Sequence, residues 1–248
     1  MKVAVFSALF ADQCPEDIPE SFDKIPGWDY LLYTNCDPGY FPETSWSIRS
    51  VPLPPPTVIP YGDDLTSPSV SRQKFIYANR FYKWHPQEHL SEYDVVIYID
   101  SPKILNTQYA DLWKAFAQIV FEQRDGCSIV QGPAQHKNTI YKEIDLAVFH
   151  RKIRADHAPI IRSFLESNKC PDLNIVWNGC YVANNRCPDL KHVFQNLWQD
   201  MCDVPCYRDQ MLYVYEFWKL NLLHRILVHP QLESATSLKG RTGYHFYI

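Results

Sequence analysis

Apolar residues along this chain fall into short continuous runs separated by stretches with helical spacing. The opening run Val3 to Phe10 is rich in β-formers, as a buried central strand of a parallel sheet would be. A second run, Tyr30 to Tyr33, stops at Thr34-Asn35-Cys36-Asp37-Pro38-Gly39, which is turn chemistry. From Ser69 to Trp84 the spacing turns helical through Phe75, Ile76, Asn79 and Lys83, and Pro86 closes it. Val95 to Ile99 is the clearest strand, β-branched and aromatic throughout, and it ends at Asp100-Ser101-Pro102. Leu112 to Phe121 reads as an amphipathic helix, Ser128 to Val130 as a short strand, and Tyr141 to Leu165 as a long helix with a possible break before Pro159. Ile175 to Ala183 reads as a strand and Asp209 to Leu223 as an aromatic-rich helix. Strands alternating with helices predict an α/β fold with a mixed, mostly parallel central sheet flanked by helices.

Length and charge narrow the partners. A chain of 248 residues fits one α/β domain, taken as 1-248, and a net charge of −4 lacks the broad basic surface that nucleic-acid binding needs. No stretch reaches the roughly 18 to 20 apolar residues of a membrane span, and Val3 to Phe10 is too short for a signal peptide, so the expectation is a cytoplasmic protein. Cys202 and Cys206 are the closest of the eight cysteines, with no second pair to complete a zinc site, so buried thiols are expected. Residues 52 to 60 hold five prolines, Pro52, Pro54, Pro55, Pro56 and Pro60, which predicts an extended connection.

The candidate chemistry sits at the strand ends. A carboxylate leaving a rigid apolar strand, as Asp100 does, suits a bound diphosphate and its divalent cation, and serves equally as a turn cap with Ser101. Arg80 and Lys83 lie three apart on one helical face, where they can neutralise phosphates or simply face solvent. Asp209 precedes an apolar helix and by position alone reads as its N-terminal cap.

Four stretches, in order, carry a resemblance. Asn79-Arg80-Phe81-Tyr82-Lys83-Trp84-His85 followed by Tyr93 to Asp100, Tyr33-Thr34-Asn35 with Trp46, His136-Lys137-Asn138-Thr139-Ile140-Tyr141-Lys142-Glu143, and Arg208-Asp209-Gln210 resemble motifs of a GT-A-like glycosyltransferase family. That family has members in plants, bacteria and large algal viruses. The resemblance implies a GT-A-type domain, with a Rossmann-like nucleotide-binding half and an acceptor half, that moves a hexosyl or deoxyhexosyl unit from a UDP-sugar to a glycan or glycoprotein. It places Ser7, Ala8, Thr34, Asn35, Arg80, Lys83, Asp100, Ser101, Asn178 and Gly179 on the nucleotide-sugar side. It places Asp209 and Glu143 at the reacting centre, and His136, Tyr141, Arg208 and Gln210 on the acceptor side. Mn2+ or Mg2+ would be held by Asp100, with His245 or His229 completing the shell. The strand ends Asp-Ser-Pro where many such enzymes have Asp-x-Asp, which leaves metal dependence open. A sugar nucleotidyltransferase would carry a Gly-rich loop after the first strand, which Ser7-Ala8-Leu9-Phe10 lacks, and a non-catalytic carbohydrate-binding scaffold stands as the non-enzymatic alternative.

Overall fold

A computed structural model describes residues 1–11, 21–41, 43–55, 68–101, 103–134, 138–150, 152–204, 206 and 208–238. Its centre is β4 (Val95–Ile99), five residues buried on both faces, which is why the sequence there shows no polar alternation. Parallel to it runs β1 (Val3–Leu9), then β2 (Asp29–Thr34) and the edge strand β3 (Ser47–Ser50). On the other side β7 (Val176–Asn184) pairs antiparallel with β4 and with β6 (Ile129–Pro133), and β8 (Ile226–Val228) adds in parallel to β6. The seven-stranded order is β3-β2-β1-β4-β7-β6-β8, the mixed, mostly parallel α/β sheet that the alternation of runs predicts. A two-stranded ribbon, β5 (Lys103–Leu105) with β9 (Thr236–Leu238), lies outside it.

Helices cover both faces. One face carries α1 (Pro68–Trp84), the short α2 (Pro86–His89), α4 (Ile140–Phe149), α5 (Ala158–Ser167), α6 (Pro188–Asp203) and α7 (Asp209–Lys219). On that face Tyr98 stacks on Tyr181, and Tyr181 on Trp84, each at 5.5 Å between ring centres. The opposite face packs α3 (Ala110–Glu122) through Trp113, Phe116, Ala117 and Val120. No helix among the described residues is long and apolar enough to cross a membrane.

The structure bears out the break expected before Pro159 and adds two elements, α2 and α6. The stretch Tyr141 to Leu165 is two helices, α4 ending at Phe149 and α5 starting at Ala158. Pro159 sits in the first turn of α5, where its missing N–H costs nothing, and Ile153 drops into the core between the helices. Pro86 closes α1 and also opens α2. Helix α6 fills a stretch to which the sequence reading gives no element. The described cysteines are free thiols, all buried except the half-buried Cys202, as expected.

Candidate active site

The strands β1, β2, β4, β6 and β8 all present their carboxyl ends on one edge of the sheet, and the antiparallel β7 brings its amino end there. From β1 the chain turns outward to β2 and β3 before α1 returns it to β4 on the other side, so the strand order reverses between β1 and β4. Crevices at such a reversal are where open α/β sheets bind ligands.

Asp100 follows β4 directly, and alternation puts it on the same face as Tyr98, whose hydroxyl donates to Asp100 Oδ1 at 2.6 Å. Burial, then the nearby Asp100 charge, holds the Tyr98 phenol far above its ordinary range, so it stays a donor. Helix α1 crosses the reversal. Asn79 donates to the carbonyl of Ala8 at the end of β1, and the Arg80 guanidinium lies 3.8 Å from Asp100 Oδ1. Asp100 therefore does not act through its side chain as a turn cap. Its backbone does that work, its carbonyl accepting from Lys103 N at 2.9 Å.

Asp209 is the first residue of α7, and its side chain turns inward instead of capping the helix. Its Oδ2 accepts from Lys83 Nζ at 2.8 Å and from Trp84 Nε1 at 3.1 Å. Arg80 Nε stands 3.3 Å from the same oxygen without the alignment of a hydrogen bond. Lys83 and Asp209 are both fully buried, so Lys83 does not face solvent as one helical-face reading allowed. Burial alone would raise the Asp209 pKa, but Arg80 and Lys83 overcome it and hold the carboxyl far below its ordinary range. Burial pushes the Lys83 ammonium down to about 8 against the pull of Asp209, leaving it charged at neutral pH. Arg80 loses to burial but gains more from Asp209 and Asp100, and its pKa is raised.

A second cluster adjoins the first through the chain itself. Glu143, in the first turn of α4, accepts from Arg208 Nε and Nη2 at 3.0 and 2.9 Å through Oε1, and from Asn138 through Oε2. Gln210 Nε2 donates to the Val176 carbonyl at the start of β7 at 3.2 Å. The Arg208-Asp209-Gln210 motif thus fans into three directions at one sheet edge.

Other expected residues are engaged elsewhere. Thr34 Oγ1 accepts from Cys36 N, and the Asn35 amide bonds both N and O of Ala11, so both side chains shape the turn after β2. Ser7 is buried on the face opposite to Ala8, the face that α3 covers. Ser101 is half-buried in the turn after Asp100. The Tyr141 hydroxyl donates to the Cys170 carbonyl, tying α4 to the end of α5, and does not join Glu143. His229 packs its ring on Phe116 at 4.9 Å, on the face away from Asp100. His136 and His245 lie outside the described residues. Among the described residues no group of three or more His, Cys, Asp or Glu is arranged to hold a metal.

Three features lie beyond the motifs. Between Gln131 and Gly132 the β6–β7 pairing slips, so Gln131 faces Tyr181 while Gly132 faces Trp177, and Asn178 to Cys180 form a bulge beside Asp100. Trp177 lies over both glycines: a Cβ on Gly132 or on Gly179 would come within 2.8 Å of its ring. Finally, Gln131 Nε2 and Oε1, Asn178 Nδ2, Asp209 Oδ1 and Gln210 Oε1 are buried with no partner among the described residues. An unmet buried polar atom costs about 1–3 kcal/mol. The sequence reading missed Gln131, which lies one residue past the expected strand Ser128 to Val130 and just before Gly132-Pro133, and the Trp177 contacts appear only once the register is known.

Fold and site define an open α/β domain with a cluster of charged residues, Arg80, Lys83, Asp100 and Asp209, at its strand reversal. Among the solved structures that resemble it are two glycosyltransferases, each at 10% identity over 93% of this chain. One is a glycosyltransferase involved in the glycosylation of the major capsid of PBCV-1, with a TM-score of 0.43 and 82% of that chain covered. The other is the apo form of the bifunctional glycosyltransferase WbbM, with a TM-score of 0.42, of whose length this chain spans 38%. No family model matches the chain, and no curated protein matches it.

Proposed function

We propose that this protein transfers a sugar from a nucleotide-sugar, a UDP-sugar, to a hydroxyl of a carbohydrate or glycoprotein acceptor. The observation that carries the reading is the convergence of Arg80, Lys83, Asp100 and Asp209 at the sheet edge where β4 ends, with one Asp209 oxygen left to accept a hydrogen bond. The motif resemblance, which runs through these same residues, supports it.

Donor diphosphate lies beside Asp100 and Arg80 in this reading, and the uracil near the turn of Thr34 and Asn35. Asp100 is exposed enough to offer one oxygen to Mn2+ or Mg2+, and such a cation would supply Lewis-acid stabilisation of the diphosphate. Arg80, held in place by both carboxylates, supplies a fixed positive charge at the same point. Asp209 acts by holding sugar hydroxyls. A carboxylate kept ionised by two cations is a weak proton acceptor, because an effective general base has a pKa near the working pH. Glu143 and Arg208 line the acceptor side, where Arg208 orients the carboxylate.

The test is release of UDP from a panel of UDP-sugars, with and without Mn2+, by the wild type and by Asp209→Asn. Turnover by the wild type and a fall of about a hundredfold in the variant with UDP affinity unchanged are expected. Tight UDP binding without turnover on any donor or acceptor would return the reading to a binding scaffold.

A further inference from the structure

Five of the unpaired buried atoms, on Gln131, Asn178, Asp209 and Gln210, form a chemically selective set. Gln131 Oε1, Gln210 Oε1 and Asp209 Oδ1 are acceptors, and Gln131 Nε2 and Asn178 Nδ2 are donors. The orientation of Gln210 is fixed, since its amide nitrogen is spent on Val176 O. All four residues are more than nine-tenths buried, and they lie on the paired strands β6 and β7 and on the start of α7, which bonds to β7 through Gln210. Val176 faces Pro133, and Gln131 lies two residues back on the same face of β6, about 7 Å along the strand. Tyr181, opposite Gln131, stacks on Trp84, whose indole holds Asp209. Asn178 stands between Trp177, opposite Gly132, and Gly179, whose carbonyl accepts from Asp100 N.

A phosphate brings only acceptors and would set its oxygens against three others. A hydroxyl both donates and accepts, so a ring bearing several hydroxyls satisfies the whole set. We propose that Gln131, with Asn178, Gln210 and Asp209, grips the hydroxyls of a neutral sugar unit and thereby sets donor specificity, turning away anionic sugars such as hexuronates. This rests on the nucleotide-sugar reading and names the sugar class that reading leaves open. An anionic sugar would bring a carboxylate toward Asp209 and two amide carbonyls, leaving their lone pairs unmet and the charges in repulsion.

Calorimetry with UDP, a UDP-hexose and the matching UDP-hexuronate tests it on the wild type, Gln131→Glu and Asn178→Asp, with thermal unfolding alongside. The wild type should bind the UDP-hexose at least about tenfold more tightly than the hexuronate. Gln131→Glu, which keeps the shape but replaces a donor with a charge, should remove about tenfold or more of the UDP-hexose affinity while leaving UDP unchanged. Asn178→Asp should act in the same direction and serves if Gln131→Glu does not fold. Two folded variants that bind the UDP-hexose like the wild type, with only thermal stability altered, would make Gln131 a structural amide and overturn the inference while the reading stands. A wild type that binds none of the three ligands overturns the reading, and the inference with it.

Discussion

Helix α7 buries a carboxylate toward each end, and the two are treated in opposite ways. Asp209 and Glu216 are both fully buried, and each leaves one oxygen unpaired. Over Asp209 stand two cations, Arg80 and Lys83, and its charge is locked in. Glu216 has only Lys219 at 3.1 Å, which also reaches Asp200 at 3.4 Å, so one ammonium serves two carboxylates. Burial first, then Asp200, pushes the Glu216 pKa up to about 8, and at neutral pH it is mostly protonated. Neither side chain is exposed, and Asp209, with two cations against one shared ammonium at Glu216, is the end that carries charge. The charged end is the one at the strand reversal.

The largest effect should come from breaking the cluster at Asp209. Asp209→Ala leaves Arg80 and Lys83 buried without a counter-charge and should cost about 3–5 kcal/mol in chemical denaturation. A loss below about 1 kcal/mol would show that the cations find water, and would dissolve the contrast between the two ends.

Next comes the pH profile, which separates the carboxylates by sign. Glu216 has a folded pKa raised from 4.5 to about 8, so the native state binds more protons than the unfolded one between those values. Its contribution is full below about pH 4.5 and is lost as pH rises through about 8, with a slope of up to about 1 kcal/mol per pH unit. Asp209 is depressed, so its stabilisation is present above the ordinary carboxylate range and is lost only in strong acid. From pH 5 to 9 the stability of the wild type should therefore fall relative to that of Glu216→Gln, which replaces a neutral group by a neutral one and leaves the opposite contribution of the buried His85 and His89 the same in both. An unchanged slope would remove Glu216 as its source.

The smallest stability effect belongs to Asp100→Asn. Its side chain is 39% exposed and 3.8 Å from Arg80, a pair worth about 0–1 kcal/mol, so unfolding should shift by less than that while Mn2+-dependent UDP affinity falls. Equal affinity would take Asp100 out of the donor site.

Much of the frame was legible because strands buried on both faces announce themselves: β1, β2, β4, β6 and β7 all coincide with apolar runs, and Asp100 with the end of one. Helix α6 went unread although its signal is in the sequence, with Pro188 in its first turn and Leu190, Val193, Phe194, Leu197, Trp198 and Met201 repeating on one face. The edge strand β3 was not legible, since Ser47 to Ser50 has only Ile48 as an apolar signal and takes its place from pairing with β2. Arg80, Lys83, Asp100 and Asp209 could be singled out one by one. That Lys83 is spent on Asp209 could not be read, because spacing along a helix says which residues share a face and not what that face meets. Nor does spacing show that the bulge at Asn178 to Cys180 seats Trp177 over two glycines.

Lys83 and Asp209 are 126 residues apart in the chain, and Arg208 and Glu143 are 65 apart. Closing such distances carries a loop-entropy cost that the assembled fold must repay. Until α7 docks, Lys83 of α1 lacks its buried counter-charge Asp209. A ligand of this crevice consequently has nothing to recognise in an unfolded or half-folded chain, and all of its binding free energy appears as resistance to unfolding: about 2.7 kcal/mol when its concentration is a hundred times its Kd.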